Sequence, residues 1–132
     1  MAYEYQMLTY MTLFFLFAWF PSSMAKKEVY GFQWLASNRK PVEGKVWKGW
    51  HARSELAYNN LKDYFPAFVV AVLLLGINGK FDYTTKWATT LFVIGRIFHF
   101  ISYLAGNVIL RFAFYLIAMA ANIFLLIKLI LL

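Results

Sequence analysis

The sequence predicts an all-α fold in which four helices cross a membrane as an integral membrane bundle. Hydrophobic residues make up 62% of the 132 residues and charged residues only 14%, whereas a soluble domain has about a quarter charged residues. The apolar residues form runs long enough to span a bilayer, and short polar segments separate them. We therefore expect a single transmembrane domain over residues 1–132.

The composition narrows the chemistry that the chain can perform. It contains no Cys, which excludes disulfides, thiolate metal sites and a thiol nucleophile on the protein itself. Its two histidines, His51 and His99, have no companion ligands at metal spacing, so no metal site is expected. The formal net charge is +7. Basic loops of a membrane protein reflect topology and contact with anionic lipid, so we do not expect nucleic acid as a partner.

The first predicted helix covers about residues 5–24 and contains the apolar run MLTYMTLFFLFAWF, with Pro21 near its end. No Lys or Arg precedes this run, and it is long enough to span, so the pattern is not that of a signal peptide. A polar connection follows over about residues 25–49. Its segment NRKP, at 38–41, predicts a turn because Pro41 disfavours helix at the residue before it.

The second predicted helix, about residues 50–77, changes from polar to apolar along its length. Its first half contains Arg53, Asn60 and Asp63, and its second half is apolar apart from small residues. Pro66 at the change removes one backbone donor and predicts a kink, which neighbouring helices tolerate in a bilayer. The polar half would lie near the headgroup level, where a polar ligand and a lipophilic ligand can meet.

The last two predicted helices cover about residues 82–104 and 108–132, and short turns at 78–80 and 105–107 precede them. Turns this short produce an up-and-down arrangement. The first connection holds more Lys and Arg than the second, so it and the third connection are expected on the cytoplasmic side. Both termini are then expected on the opposite side of the membrane.

This topology brings the start of the second helix, the end of the third and the start of the fourth to one membrane face. Ionisable and phenolic residues concentrate there, at spacings that place them on shared helical faces. They are Arg53, Asn60 and Asp63 on the second helix, Arg96, His99 and Tyr103 on the third, and Arg111 and Tyr115 on the fourth. We infer a polar site at this face.

Each of these residues also has a purely structural explanation. Arg53 could face lipid headgroups, and His99 and Tyr103 could hydrogen-bond to neighbouring helices. Arg96 lies about two turns inside its span, where a lone Arg costs at least a few kcal/mol, and an internal ion pair with Asp63 would satisfy it. Three Arg residues against one Asp still leave surplus positive charge. That surplus favours a site for an anionic ligand.

Three motifs carry a resemblance to a known family. Residues 60–66, NLKDYFP, match an Asn-x-x-Glu-x-x-Pro pattern with Asp in place of Glu, and an apolar helix follows. Residues 95–99, GRIFH, with Tyr103 are similar to a third-helix signature, and Arg111 with Tyr115 is similar to a fourth-helix pair. The chain thus resembles the MAPEG family, the membrane-associated proteins in eicosanoid and glutathione metabolism. It is most similar to bacterial members that resemble microsomal glutathione transferase and prostaglandin E synthase.

The resemblance implies a homotrimer in a bacterial inner membrane, with glutathione as cosubstrate bound between subunits near the cytoplasmic side. It implies an enzyme that directs glutathione thiolate at lipophilic electrophiles or eicosanoid-like lipid substrates, with peroxidase activity toward lipid hydroperoxides as an additional expectation. Membrane lipid would be the other partner. By the resemblance, the glutathione-binding residues are Arg53, Asn60, Asp63, Tyr64, Arg96, His99, Tyr103 and Tyr115. Arg111 would be catalytic, because a cation near the sulfur stabilises the thiolate.

The chain departs from the family pattern at three positions. Asp63 stands where the family has Glu, as in a non-enzymatic lipid-binding member, and Leu56 replaces an Arg four residues before Asn60. These two departures favour an alternative, a non-catalytic lipid-binding or scaffold protein on the same trimeric frame. Phe112 follows Arg111 where prostaglandin E synthase has a Ser, which disfavours that isomerase activity. A small transporter or channel subunit has little support, since the spans lack the broken-helix pairs of transporters.

Overall fold

The structure is a computed structural model that describes residues 1–40, 42, 44 and 49–131. In these ranges the regular elements are helices, and no strand occurs. The helices are α1 (Tyr3–Phe17), α2 (Phe20–Tyr30), α3 (Phe32–Leu35), α4 (Gly49–Ile77), α5 (Tyr83–Ala105) and α6 (Val108–Ile130). The predicted all-α fold is confirmed.

Four helical segments of the described chain are long and apolar enough to cross a membrane. They are Tyr3–Tyr30, which joins α1 and α2, and the single helices α4, α5 and α6. The prediction of a four-helix membrane protomer is therefore confirmed. α4 and α5 begin and end within one residue of the positions expected from the sequence.

The first span is longer than expected and has a break near its middle. Helix continues through α2 to Tyr30, beyond the expected end at residue 24. The break arises because Pro21 has no N–H to bond the Phe17 carbonyl, four residues back. At this point the chain forms a tighter turn, in which the Ala18 N–H bonds a carbonyl only three residues back at 3.2 Å.

Part of the predicted polar connection lies outside the described residues. The turn predicted at 38–41 includes Pro41, which is not among them, and neither are residues 43 and 45–48 or Leu132, the expected end of the last helix. Within the described part of the connection, α3 forms a short helix that the sequence did not predict.

α4 continues through Pro66 as one helix. The proline removes the hydrogen bond to the Lys62 carbonyl, but the turns on either side of it remain packed in the bundle. Phe65 and Phe68, which flank the proline, are buried. Tertiary packing therefore holds the helix across the missing bond, as membrane helices commonly allow.

Polar contacts join the ends of neighbouring helices at both faces of the bundle. At one face, the Arg53 Nε–H donates to the Leu104 carbonyl at 3.1 Å and joins the start of α4 to the end of α5. At the other face, the ammonium of Lys128, in the last turn of α6, contacts the carboxylate of Asp82, just before α5. The start of α4, the end of α5 and the start of α6 therefore share one face, as the up-and-down topology predicts.

Asp82 also caps the N-terminus of α5. Its carboxylate accepts hydrogen bonds from the N–H groups of Thr84 and Thr85 at 2.9 and 3.1 Å, and the Thr85 hydroxyl accepts from the Asp82 N–H at 2.8 Å. This reciprocal pattern is a capping box. The hydrogen bond from Lys128, followed by that from the Thr84 side chain, holds the pKa of the Asp82 carboxyl well below its usual range.

Aromatic stacking and a close helix contact build the interior. Phe68 of α4 and Phe92 of α5 are buried and stack with ring centroids 4.0 Å apart. α5 approaches α6 closely at Gly95, where a Cβ would lie 3.1 Å from the Ala118 Cβ and 3.2 Å from the Phe114 carbonyl oxygen. Small residues at such contacts let membrane helices gain the close packing on which their association depends.

We expect Gly95→Val to destabilise the protein by about 1–3 kcal/mol, because the branched side chain would overlap the backbone of α6. The measurement is the denaturation midpoint of the protein purified in detergent. Ala113→Val, at an exposed position of α6, is the control and should leave the midpoint nearly unchanged. A Gly95→Val protein as stable as wild type would contradict the close contact between α5 and α6.

The stabilising effect of Asp82 should depend on pH. The folded-state pKa of its carboxyl lies below the unfolded value of about 3.9, so the effect is fully present above that pH and is lost as the pH falls toward the folded pKa. The difference in melting temperature between wild type and Asp82→Ala should therefore be constant down to about pH 4 and shrink below it. Asp63→Ala, which removes an exposed carboxyl, is the control. A difference that does not change with pH would show that the carboxylate charge contributes nothing.

Candidate functional site

A groove of about 290 Å³ lies between α4, α5 and α6, near the face where α5 turns into α6. Its wall combines polar and apolar side chains: Asn60, His99, Tyr103, Val108, Arg111, Phe112 and Tyr115. Five of the nine site residues predicted from the sequence line it, namely Asn60, His99, Tyr103, Arg111 and Tyr115. The structure thus brings side chains from three helices to one place.

Arg111 supplies the positive charge of the groove. Its guanidinium carbon lies 4.4 Å from the centroid of the Tyr103 ring, a cation–π contact that joins α6 to α5. Arg111 is partly buried, so an anion beside it would interact at a lower effective dielectric than in water. Among the described residues that line the groove there is no Asp or Glu, so no carboxylate in the wall neutralises this charge.

His99 is buried in the wall of the groove beside two tyrosines. Its ring meets Tyr103 edge-on, with centroids 5.7 Å apart, and its centroid lies 6.1 Å from that of Tyr115. The Nδ1 atom of His99 is buried and has no hydrogen-bond partner within the described part of the chain. An imidazole nitrogen of this kind can accept from, or donate to, a bound ligand.

Arg96 lies behind the groove rather than in its wall. Its side chain is 2% exposed, and its Nη2 donates to Asn60 Oδ1 at 2.7 Å. The guanidinium carbon also lies 5.5 Å from the centroid of the Tyr64 ring. The ion pair with Asp63, which would have explained Arg96 structurally, does not occur among the ion pairs of the described residues. Arg96 therefore bonds Asn60, a residue of the groove wall, and no carboxylate among the described ion pairs neutralises its charge.

Tyr64 and Tyr115 connect α4 to α6 beside Arg96. Their hydroxyl oxygens are 3.0 Å apart, and their rings meet edge-on with centroids 5.5 Å apart. Tyr115 lines the groove, whereas Tyr64 lies behind it with Arg96. Either hydroxyl can donate to the other, so one of the two hydroxyl hydrogens remains for a further acceptor.

Arg53 and Asp63 lie outside the groove of the protomer. The Arg53 guanidinium bonds the Leu104 carbonyl at the C-terminal end of α5, where the helix dipole favours a cation. Asp63 is exposed on α4. The sequence places Asp63 close to the helical face of Asn60, but three positions along a helix leave a rotation of about 60°. That rotation directs Asp63 away from Arg96.

Two features of the site are not apparent from the sequence reasoning. Val108 and Phe112, both 61% exposed, supply the apolar part of the groove. Asn122 of α6 is buried and shares a small cavity with Arg96 and Tyr115. A single Asn within an apolar run of a membrane helix is the signal that could have identified Asn122.

In the described ranges, no three His, Asp or Glu side chains are placed to hold a metal ion.

A comparison with protein families gives a match over nearly the whole chain. The model of the MAPEG family matches residues 5–131, which include every residue of the groove and all four spans except Tyr3 and Glu4. Searches of curated proteins and of solved structures found no match.

We expect Asn60→Ala to lower the free energy of unfolding by about 1–3 kcal/mol, because it leaves a buried guanidinium nitrogen without its acceptor. The adjacent Asn59→Ala, at an exposed position, is the matched control and should stay within about 0.5 kcal/mol of wild type. Chemical denaturation in mixed micelles, without glutathione, measures both. Equal stability of the two variants would show that the hydrogen bond between Asn60 and Arg96 contributes nothing.

Proposed function

The chain belongs to the MAPEG family, and we propose that it is a membrane-bound glutathione transferase that joins glutathione to lipophilic electrophiles. The composition of the groove carries this proposal. Arg111, His99 and Tyr115 form a polar and cationic wall, and the exposed side chains of Val108 and Phe112 form an apolar one. An anionic, water-soluble thiol and an apolar substrate from the bilayer can therefore meet in one place.

Glutathione suits the charges around the groove. It carries two carboxylates and one amine, and Arg111 lines the groove while Arg96 adds positive charge from behind Asn60. Hydrogen bonds between a guanidinium and a carboxylate are among the stronger ones in proteins. The buried Nδ1 of His99 offers a further polar contact for the ligand.

We further propose that the complete site forms between the subunits of a homotrimer, the assembly typical of the family. Asp63 is exposed on α4, outside the groove of its own protomer. A neighbouring subunit packed against this side of α4 would bring its groove to Asp63, whose carboxylate would bind the amino group of glutathione. Arg53, at the same face of the bundle, would then lie near one of the carboxylates.

Arg111 would act on the sulfur of glutathione. A cation beside the thiol stabilises the thiolate, so the thiol proton passes to water and the sulfur keeps the reacting electron pair. In a displacement, the sulfur forms a bond to the electrophilic carbon while the leaving group departs with the electrons of its own bond. With a lipid hydroperoxide, two glutathione molecules are oxidised to the disulfide while the hydroperoxide is reduced to an alcohol and water.

The groove would open at the cytoplasmic face of a bacterial inner membrane, with both termini on the other side. Lys26 lies 3.9 Å from Glu55, and His51 lies 3.4 Å from Glu28, so the basic end of α2 adjoins the start of α4. That is the face at which the groove lies. An excess of Lys and Arg at one face favours a cytoplasmic location for it.

A non-catalytic lipid-binding or scaffold protein is the second candidate. Leu56, where the family pattern has Arg, is 51% exposed, and Asp63, where the pattern has Glu, lies outside the groove. Both departures reduce the polar contacts available to glutathione. The apolar side of the groove would still accept a lipid chain, so turnover is the property that separates the two candidates.

We expect Arg111→Ala to bind glutathione within about tenfold of wild type but to lose about 10²–10³-fold in kcat/KM, because it removes the charge that stabilises the thiolate. Calorimetry measures binding, and the product of a reactive aryl halide or the loss of a lipid hydroperoxide measures turnover. Arg39→Ala, which removes an exposed Arg of the connection, is the matched control and should behave as wild type.

Two different results would contradict the transferase proposal and the catalytic role of Arg111. Wild-type protein that neither binds glutathione nor turns over either substrate would contradict the transferase and favour the lipid-binding candidate. Full activity in Arg111→Ala would leave the transferase intact and remove Arg111 from its mechanism.

A further inference from the structure

Two buried polar atoms near the groove lack a partner in the described part of the chain, and they are complementary. Arg96 Nε carries a hydrogen to donate, and Asn122 Oδ1 is an acceptor. Arg96 is 2% exposed and Asn122 7% exposed, so both are shielded from the surroundings of the protomer. Buried polar groups nearly always have a hydrogen-bond partner, either in the protein or in an ordered water.

Both residues line the same small cavity, which lies between α4, α5 and α6. The cavity measures about 10 Å³, and its wall consists of Tyr64, Phe92, Arg96, Tyr115, Ala118, Met119 and Asn122. A space of about 10–15 Å³ accommodates one water molecule when about two to four polar groups surround it. The wall provides four polar side chains, so the cavity matches one water in both size and chemistry.

The polar part of the wall can give one water about three hydrogen bonds, the usual number for a buried water. The Arg96 Nε–H would donate to the water oxygen, and the water would donate to Asn122 Oδ1. Tyr64 and Tyr115 use one hydroxyl hydrogen between them, at 3.0 Å, so the other hydroxyl hydrogen can also donate to the water. This arrangement gives a partner to both buried atoms of the cavity wall that lack one, Arg96 Nε and Asn122 Oδ1.

We propose that one buried water bridges Arg96 to Asn122, and that Asn122 is thereby a positioning residue for the anion site. The bridge restrains Nε of the guanidinium, while the hydrogen bond to Asn60 restrains Nη2 at 2.7 Å. With two edges of the guanidinium plane held, its orientation behind the groove is set before a ligand binds. The effect on glutathione rests on the proposed function, whereas the bridge itself does not.

Packing alone does not explain Asn122. Its buried neighbours along α6 are Ala118, Ala121 and Leu125, and a Leu of similar size would pack among them without leaving an acceptor unpaired. A polar residue inside a membrane span is costly unless it has a partner, and such residues mark functional positions. The partner that the geometry offers is Arg96, through the water.

The test compares two substitutions of Asn122 with a matched control. Asn122→Leu removes the acceptor, whereas Asn122→Gln keeps an amide that extends further toward Arg96. Met119→Leu changes an apolar residue of the same cavity wall and is the control. The Arg96 Nε–H is observed by NMR of the isotope-labelled protein in nanodiscs, assigned with Arg96→Lys, and glutathione binding is measured by calorimetry.

We expect slow exchange of the Nε hydrogen, with cross-relaxation to a bound water, in wild type and in Met119→Leu. Exchange should be fast in Asn122→Leu and slow again in Asn122→Gln. The glutathione Kd should rise about tenfold in Asn122→Leu, comparable to the smaller effects of removing a group that orients a metal ligand. It should return toward the wild-type value in Asn122→Gln.

Slow exchange that persists in Asn122→Leu would overturn the bridge. Fast exchange in that variant with an unchanged Kd would overturn the positioning role of Asn122. Wild type that shows the bound water but has no affinity for glutathione would support the bridge and overturn the proposed function. If Asn122→Leu does not fold, the wild-type spectrum decides, because cross-relaxation between the Arg96 Nε hydrogen and a bound water would support the bridge and its absence would overturn it.

Discussion

A guanidinium buried among membrane helices must find its partners inside the protein, and the polar interior of this bundle is arranged around that requirement. Arg96 of α5 donates to Asn60 of α4, lies over the Tyr64 ring and shares a cavity with Asn122 of α6. A lone charge at this depth would cost at least a few kcal/mol. Since the partners come from α4 and α6, satisfying one side chain of α5 constrains how the three helices are rotated about their axes.

Cations join neighbouring helices at both faces of the bundle, but Arg53 and Arg111, at the groove face, have no carboxylate partner among the ion pairs of the described residues. At the far face, Lys128 pairs with the carboxylate of Asp82, so the two charges compensate each other. At the groove face, Arg53 bonds the neutral carbonyl of Leu104, and the guanidinium keeps its charge. Arg111 meets an aromatic ring instead of a carboxylate. Arg53 and Arg111 therefore keep their positive charge at the face where the groove lies.

The fold could be predicted closely because its signals are local. The end of α4 and the bounds of α5 follow from apolar runs that end in turn residues, and the face shared by His99 and Tyr103 follows from the helical period. The signals that were missed depend on contacts between elements. The prediction ended the first helix at residue 24, because the charged residues Lys26, Lys27 and Glu28 favour a polar connection there, whereas α2 continues to Tyr30. A lone Asn in an apolar run marks Asn122 in the sequence, but only the structure shows that it shares a cavity with Arg96 of another helix.

The sequence by itself determined that the chain is a four-span helical membrane protein and which polar residues lie at one face. The lengths of the apolar runs, the spacing along each helix and the short turns are sufficient for both. Only the tertiary structure decided which of those residues meet. Arg96 pairs with Asn60 while Asp63 is directed outward, because rotations of tens of degrees separate neighbours on a helix. Spacing places residues on a face of their own helix, but the rotation of each helix against its neighbours is set by packing at contacts such as Gly95 against Ala118.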